Sequence, residues 1–135
     1  MQTRPDDDQR CPCGSGETFG GCCARYLLGL GQGEAAPTAE ALMRSRYTAF
    51  VVGDVQHLLY TWDASTRPGE LGLDEDTRWL FLRIDSTKAG GPFDDTGVVE
   101  FTAVYRTPAG RGEQHEVSRF RREAGRWYYV DGVVG

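Results

Sequence analysis

From Thr38 onward the chain uses two hydrophobic spacings in turn. Across TAEALMRSRYTAFVVG, Leu42, Met43, Tyr47, Phe50 and Val51 recur three to four residues apart, the repeat of one apolar helix face. Thr38 is placed to cap the first turn, and Glu40 sits near the positive end of the helix dipole. Gly53 stops this helix, and Asp54 is placed to cap a second over VQHLLYTW, with Val55, Leu58, Leu59 and Trp62 expected to be buried. Arg44 and Arg46 point away from the first apolar face. A buried arginine needs a carboxylate, so one of them is expected to pair with Glu100 or Glu116. His57 reads as a solvent-facing helix residue.

After a loop at residues 63–73 and a turn or short helix capped by Asp74, the spacing changes to two. LFLRIDSTK sets Phe81, Arg83 and Asp85 against Leu82, Ile84 and Ser86. VVEFTAVYRT sets Val99, Phe101, Ala103 and Tyr105 against Val98, Glu100, Thr102, Val104 and Arg106. GEQHEVSRFRRE puts His115, Val117 and Arg119 on one face, with Glu116, Ser118 and Phe120 on the other. In RWYYVDGV, Trp127, Tyr129 and Asp131 share a parity. Helices first and a strand meander last predict an α+β domain of two or three helices and about four antiparallel strands. A sheet curved over its own helices would leave a concave mouth.

The first 37 residues carry no such periodicity. Residues 1–10, with three consecutive aspartates and no apolar stretch, read as a disordered acidic leader and not as a secretory signal. A cytoplasmic location with reduced thiols is therefore expected. All four cysteines, Cys11, Cys13, Cys22 and Cys23, then fall within 13 residues. Disulfides here would close tiny loops and remove little entropy from the unfolded chain, and adjacent Cys22 and Cys23 are poorly placed to bridge. Four thiolates can instead hold one Zn²⁺ tetrahedrally. The pattern C-x-C, eight residues, C-C is tighter than the common zinc spacings, but Gly14, Ser15 and Gly16 supply a turn and Phe19 a cover. Free thiols or a redox-responsive cluster that releases metal on oxidation are the alternatives; no C-x-x-C is present. A four-thiolate site has no open coordination position, so the metal would be structural.

Composition narrows the function classes. With 39% hydrophobic and 11% aromatic residues the chain can build a core, which excludes wholesale disorder. No apolar run approaches the ~20 residues of a membrane-spanning helix. A net charge of −5 argues against coating duplex DNA.

CPCGSGETFGGCC resembles the SEC-C motif, a zinc knuckle also found at the tail of the SecA translocation ATPase; Cys23 stands where SecA has its last ligand, a histidine. TAEALMRSRYTAF, TW at 61–62, TRP at 66–68, VEF at 99–101, HEVSRF at 115–120 and RWYYVDG at 126–132 together resemble the YchJ family, from Cys11 to Gly132. The family form near residue 115 is HERSRF, so Val117 departs from it and alters the surface of that strand. The resemblance implies a SEC-C zinc-binding knuckle followed by a cone-shaped nuclear-transport-factor-2-like domain; with the acidic leader at 1–10 and the glycine-rich, proline-ended linker at 29–37 that reads as a hinge, these fall at 11–28 and 38–135. That fold hosts many functions, so it implies no reaction.

The expected metal ligands are Cys11, Cys13, Cys22 and Cys23, with structural Zn²⁺ as the cofactor. The candidate pocket residues are Tyr47, Trp62, His115, Arg119, Tyr129 and Asp131. Asp131 would serve as a general base only if the cone desolvates it; at the rim it is a turn residue. No nucleophile stands beside it, so whether the cone catalyses is left open. The leading expectation is a protein- or ribonucleoprotein-binding module carrying the zinc site. The alternative is a small-ligand binder or enzyme that uses the cone, which calls for a cavity of at least ~300 Å³. A homodimer fits the sequence; a membrane or duplex DNA partner does not.

Overall fold

The computed structural model describes residues 3–135. Thr38 is extended, and its Oγ1 accepts from Ala41 N at 3.0 Å, which starts helix α1 (Ala39–Val52). Gly53 ends it in the left-handed conformation, at φ +82°, which favours glycine. Asp54 Oδ1 then accepts from His57 N at 3.1 Å and starts α2 (Val55–Tyr60).

The second helix stops short of Trp62. Thr61 Oγ1 donates back to the His57 carbonyl at 2.7 Å, and Trp62 leaves the helix to bridge Tyr129 in parallel. Two backbone bonds hold this exit, Tyr129 N to Thr61 O at 2.8 Å and Asp63 N to Tyr129 O at 2.7 Å. The segment from Asp74 is a turn, not a helix, and gives way to a strand at Arg78.

Four antiparallel strands follow in meander order: β1 (Arg78–Ala89), β2 (Thr96–Thr107), β3 (Gly110–Glu123) and β4 (Arg126–Val134). Leu82, Val99, Phe101, Ala103, Phe120 and Trp127 form the buried inner face against α1. The helix is buried nearly all round, because the cysteine-bearing segment covers the side that the sheet does not. This burial corrects two sequence expectations. His57 is 1% exposed, and Arg46 lies inside the molecule.

Bulges interrupt the period-two pattern in β1 and between β3 and β4. Arg119 pairs with Asp131 and Phe120 with Tyr129, so Val130 is the extra residue. One added residue reverses the parity of everything after it. Asp131 therefore sits on the outer face with Arg119, while Trp127 and Tyr129 stay inside.

The N-terminal segments are tied to the body. Phe19 N donates to Gln9 O at 2.7 Å, Gly20 N donates to Asp7 O at 2.9 Å, and Arg10 bridges Thr18. The expected disorder of the leader thus does not extend to residues 7–10; residues 1–2 lie outside the described part. The linker is no free hinge either. Asp54 Oδ2 accepts from Gly29 N at 3.0 Å and Leu30 N at 2.9 Å, and Trp127 Nε1 donates to Pro37 O at 3.3 Å. No helix among the described residues is long and apolar enough to cross a membrane.

Candidate metal centre and cone cavity

The knuckle begins as a small loop closed by Cys11 N donating to Glu17 O at 2.9 Å. Gly14 and Gly16 take φ of +79° and +88°, so the loop can reverse between the two cysteine pairs. A one-turn 3₁₀ helix, Cys23–Arg25, begins at the second pair, with Cys22 at its N-cap position. The four Sγ atoms lie within 4.8 Å of one another; Cys13 and Cys22 are 3.6 Å apart, and Cys22 and Cys23 4.0 Å. A tetrahedron with metal–sulfur bonds of ~2.3 Å has sulfur–sulfur edges of ~3.8 Å, whereas a disulfide needs ~2.05 Å. The spacing fits a shared cation and leaves all four thiols free of disulfides.

The electrostatics agree. Shared S–H donation from Cys11 and Cys23 pushes the Cys13 thiol far down, while hydrogen bonds with Cys11, Cys13 and Cys22 push Cys23 far up. Cys22 falls to about 7, chiefly through Cys23, and Cys11 rises to about 12, chiefly through Cys13. Four sulfurs this close cannot all ionise unless a cation sits among them. Ser15 Oγ lies 3.2 Å from Cys22 Sγ, and Arg44 Nη1 donates to the Cys13 carbonyl at 2.7 Å, which brings a positive charge to the cluster from α1. Phe19 and Leu27 are fully buried beside it.

The concave side of the sheet keeps a cavity of about 230 Å³. That falls short of the ~300 Å³ the small-ligand expectation calls for, and leaves room only for a ligand near the size of one aromatic ring, for which ~150 Å³ suffices. Of the six candidate pocket residues, Tyr47, Trp62 and Tyr129 line it. His115, Arg119 and Asp131 do not. They lie on the outer face, His115 by strand parity and the other two as a paired ion bridge at 2.5 Å whose arginine lowers the Asp131 carboxyl. Asp131 is thus no desolvated base.

Two charged residues in the cavity wall, Arg46 and Glu116, are in the sequence only candidates for an internal ion pair and not among the expected pocket residues. The signal was present. Arg46 falls four residues after Leu42 and four before Phe50, inside the apolar row, and Glu116 has the parity of buried Phe120. Arg46 Nη1 donates to Leu58 O at 2.8 Å and Thr61 Oγ1 at 2.7 Å. Its guanidinium stacks on Trp62 at 5.2 Å and Tyr129 at 4.6 Å. Burial lowers it to about 10, which leaves it charged at neutral pH. Glu116 accepts from Ser118 Oγ, Tyr129 OH and Gln114 Nε2. The expected internal ion pair is absent: Arg44 bonds Glu40 instead, and none of the ion pairs among the described residues includes Arg46.

His57 is neutral and inward. Ser45 Oγ spends its proton on Leu42 O, so it accepts from His57 Nε2 at 2.9 Å, and Nδ1 has no partner. Burial, with Arg46 adding to it, lowers the imidazole to about 4. On the outer face Asp85, Glu100 and His115 converge. Arg83, Ser86 and Thr102 already occupy the carboxylates, and Glu100 draws the His115 pKa upward, which makes the group an ion-pair network.

A cysteine knuckle clasped to an α+β cone defines a two-part protein: a SEC-C-type metal segment and a nuclear-transport-factor-2-like body. Residues 38–132 match the family model described as YchJ, middle NTF2-like domain, and the chain belongs to this family. A UPF0225 protein of Corynebacterium efficiens is 54% identical over 129 residues, 96% of each chain. One from Chromobacterium violaceum is 47% identical over 99% of each. The solution structure of a SEC-C motif containing protein from Rhodopseudomonas palustris superposes with a TM-score of 0.78 at 34% identity, covering 93% of this chain and 98% of that one. A SEC-C protein from Psychrobacter arcticus gives 0.72 at 26% identity, over 96% and 84%.

Proposed function

We propose that the protein is a binding module in which Cys11, Cys13, Cys22 and Cys23 hold one structural Zn²⁺ and the cone cavity is the binding element. The carrying observation is that the knuckle's apolar residues, Phe19 and Leu27, are spent on the body, while the cavity wall keeps a buried charge. When bound, the zinc neutralises the crowded thiolates and stiffens the fold. Arg44 and Ser15 orient the ligands from outside the metal. The cytoplasm supplies the reducing conditions that keep the thiols as ligands. Elemental analysis of untagged protein should give about one zinc per chain, lost in Cys13→Ser and Cys22→Ser; folded wild type without bound zinc overturns the metal assignment. Protein-observed NMR with small aromatic fragments should shift Tyr47, Phe101 and Tyr129 saturably; no shift at these residues overturns the cavity assignment.

A protein or ribonucleoprotein partner is the second reading. It is favoured by Phe93, 95% exposed in the turn between β1 and β2. Pull-downs with wild type, Phe93→Ser and Cys22→Ser that return identical partner sets would remove it.

A further inference from the structure

We propose that the cone cavity selects a small monocarboxylate with a flat apolar body, read by the free edge of Arg46; this rests on the cavity being the binding element.

Arg46 is 4% exposed and has no carboxylate partner, although a buried charge is ordinarily paired. Both protons of Nη1 go to neutral oxygens, those of Leu58 and Thr61. Trp62 and Tyr129 lie against one side of the group, at 5.2 and 4.6 Å, with their own ring centroids 5.2 Å apart. What is left is the Nε–Nη2 edge. It finds no acceptor among the described residues, and Arg46 lines the cavity. That edge is the planar two-donor fork that matches the two oxygens of a carboxylate. The nearby Trp62 Nε1 is likewise unpaired.

The rest of the wall sets the body of the ligand. Met43, Phe50, Trp79, Phe101 and Ala103 make it apolar. A cavity of ~150 Å³ accepts benzene, and this one, at about 230 Å³, has room for one ring and a carboxylate. Glu116 sets the charge. Its carboxylate already has three donors, so it does not need the ligand, and a second acid group on the ligand would meet its charge. A monoanion is therefore selected over a dianion.

The test uses benzoate and its neutral isostere benzamide, titrated into the full zinc-loaded chain by NMR. Benzoate should shift the Tyr47, Phe101 and Tyr129 amides and bind at least ~10-fold tighter than benzamide, the size of a charge-assisted bond. Arg46→Lys keeps the charge but lacks the fork, and should erase that preference. Should that variant not fold, Ala103→Leu fills the cavity without touching the charge and should abolish both. Equal affinity for benzoate and benzamide would overturn the carboxylate assignment and leave the cavity as a binding element. Entry of neither, or benzoate shifts confined to the outer sheet face, would overturn both.

Discussion

A single carboxylate, that of Asp54, joins α2 to the glycine-rich segment at Gly29: Oδ1 accepts from His57 N, while Oδ2 accepts from Gly29 N at 3.0 Å. At 3% exposed, this group has no water to replace its partners if it is lost. The segment that looks most like a hinge is thereby fixed to a helix cap 25 residues later.

Asp54→Ala should therefore cost more than a helix cap alone. Losing the cap is worth ~1 kcal/mol, and two further bonds to a charged acceptor, at ~1.5 kcal/mol each, bring the expected loss to about 4 kcal/mol. Urea unfolding measures it. Amide exchange at Gly29 and Leu30 should accelerate in the same variant.

Removing the metal should weaken the whole domain, because Phe19 and Leu27 belong to the same core cluster as α1. Calorimetry of chelator-treated protein should show one transition, lowered by at least ~10 °C at ~4 °C per kcal/mol for a chain of this size. A transition of unchanged midpoint would mean that the knuckle folds independently.

His57 makes stability depend on pH. Its folded value, about 4, lies below the ordinary 6.5, so the unfolded chain takes up a proton first. The stabilisation is complete above pH 6.5, declines as pH falls from there, and is gone near pH 4. The loss totals about 3 kcal/mol at ~1.4 kcal/mol per unit. His57→Gln should remove this component, and urea midpoints across the range compare the two chains.

Asp131→Asn tests the outer placement. Arg119 and Asp131 are both well exposed, so breaking the pair should cost ~0–1 kcal/mol. Benzoate affinity should not change. A tenfold loss would return Asp131 to the ligand site.

The sequence by itself determined the local structure and the cysteine cluster. Thr38, Gly53 and Asp54 act within one helical turn of their own positions, and four cysteines within 13 residues need no long-range contact to meet. Tertiary structure decided the inside and the outside. Arg46 and His57 are buried only because the knuckle and β4 close over α1 and α2, and neither closure can be read from a helix's own spacing. Asp131 left the ligand face because Val130 bulges against β3, and a bulge belongs to a pair of strands. The cavity exists for the same reason: its wall joins residues from α1, Trp62 just past α2 and all four strands, whose apolar parity was legible one strand at a time but whose meeting around Arg46 was not.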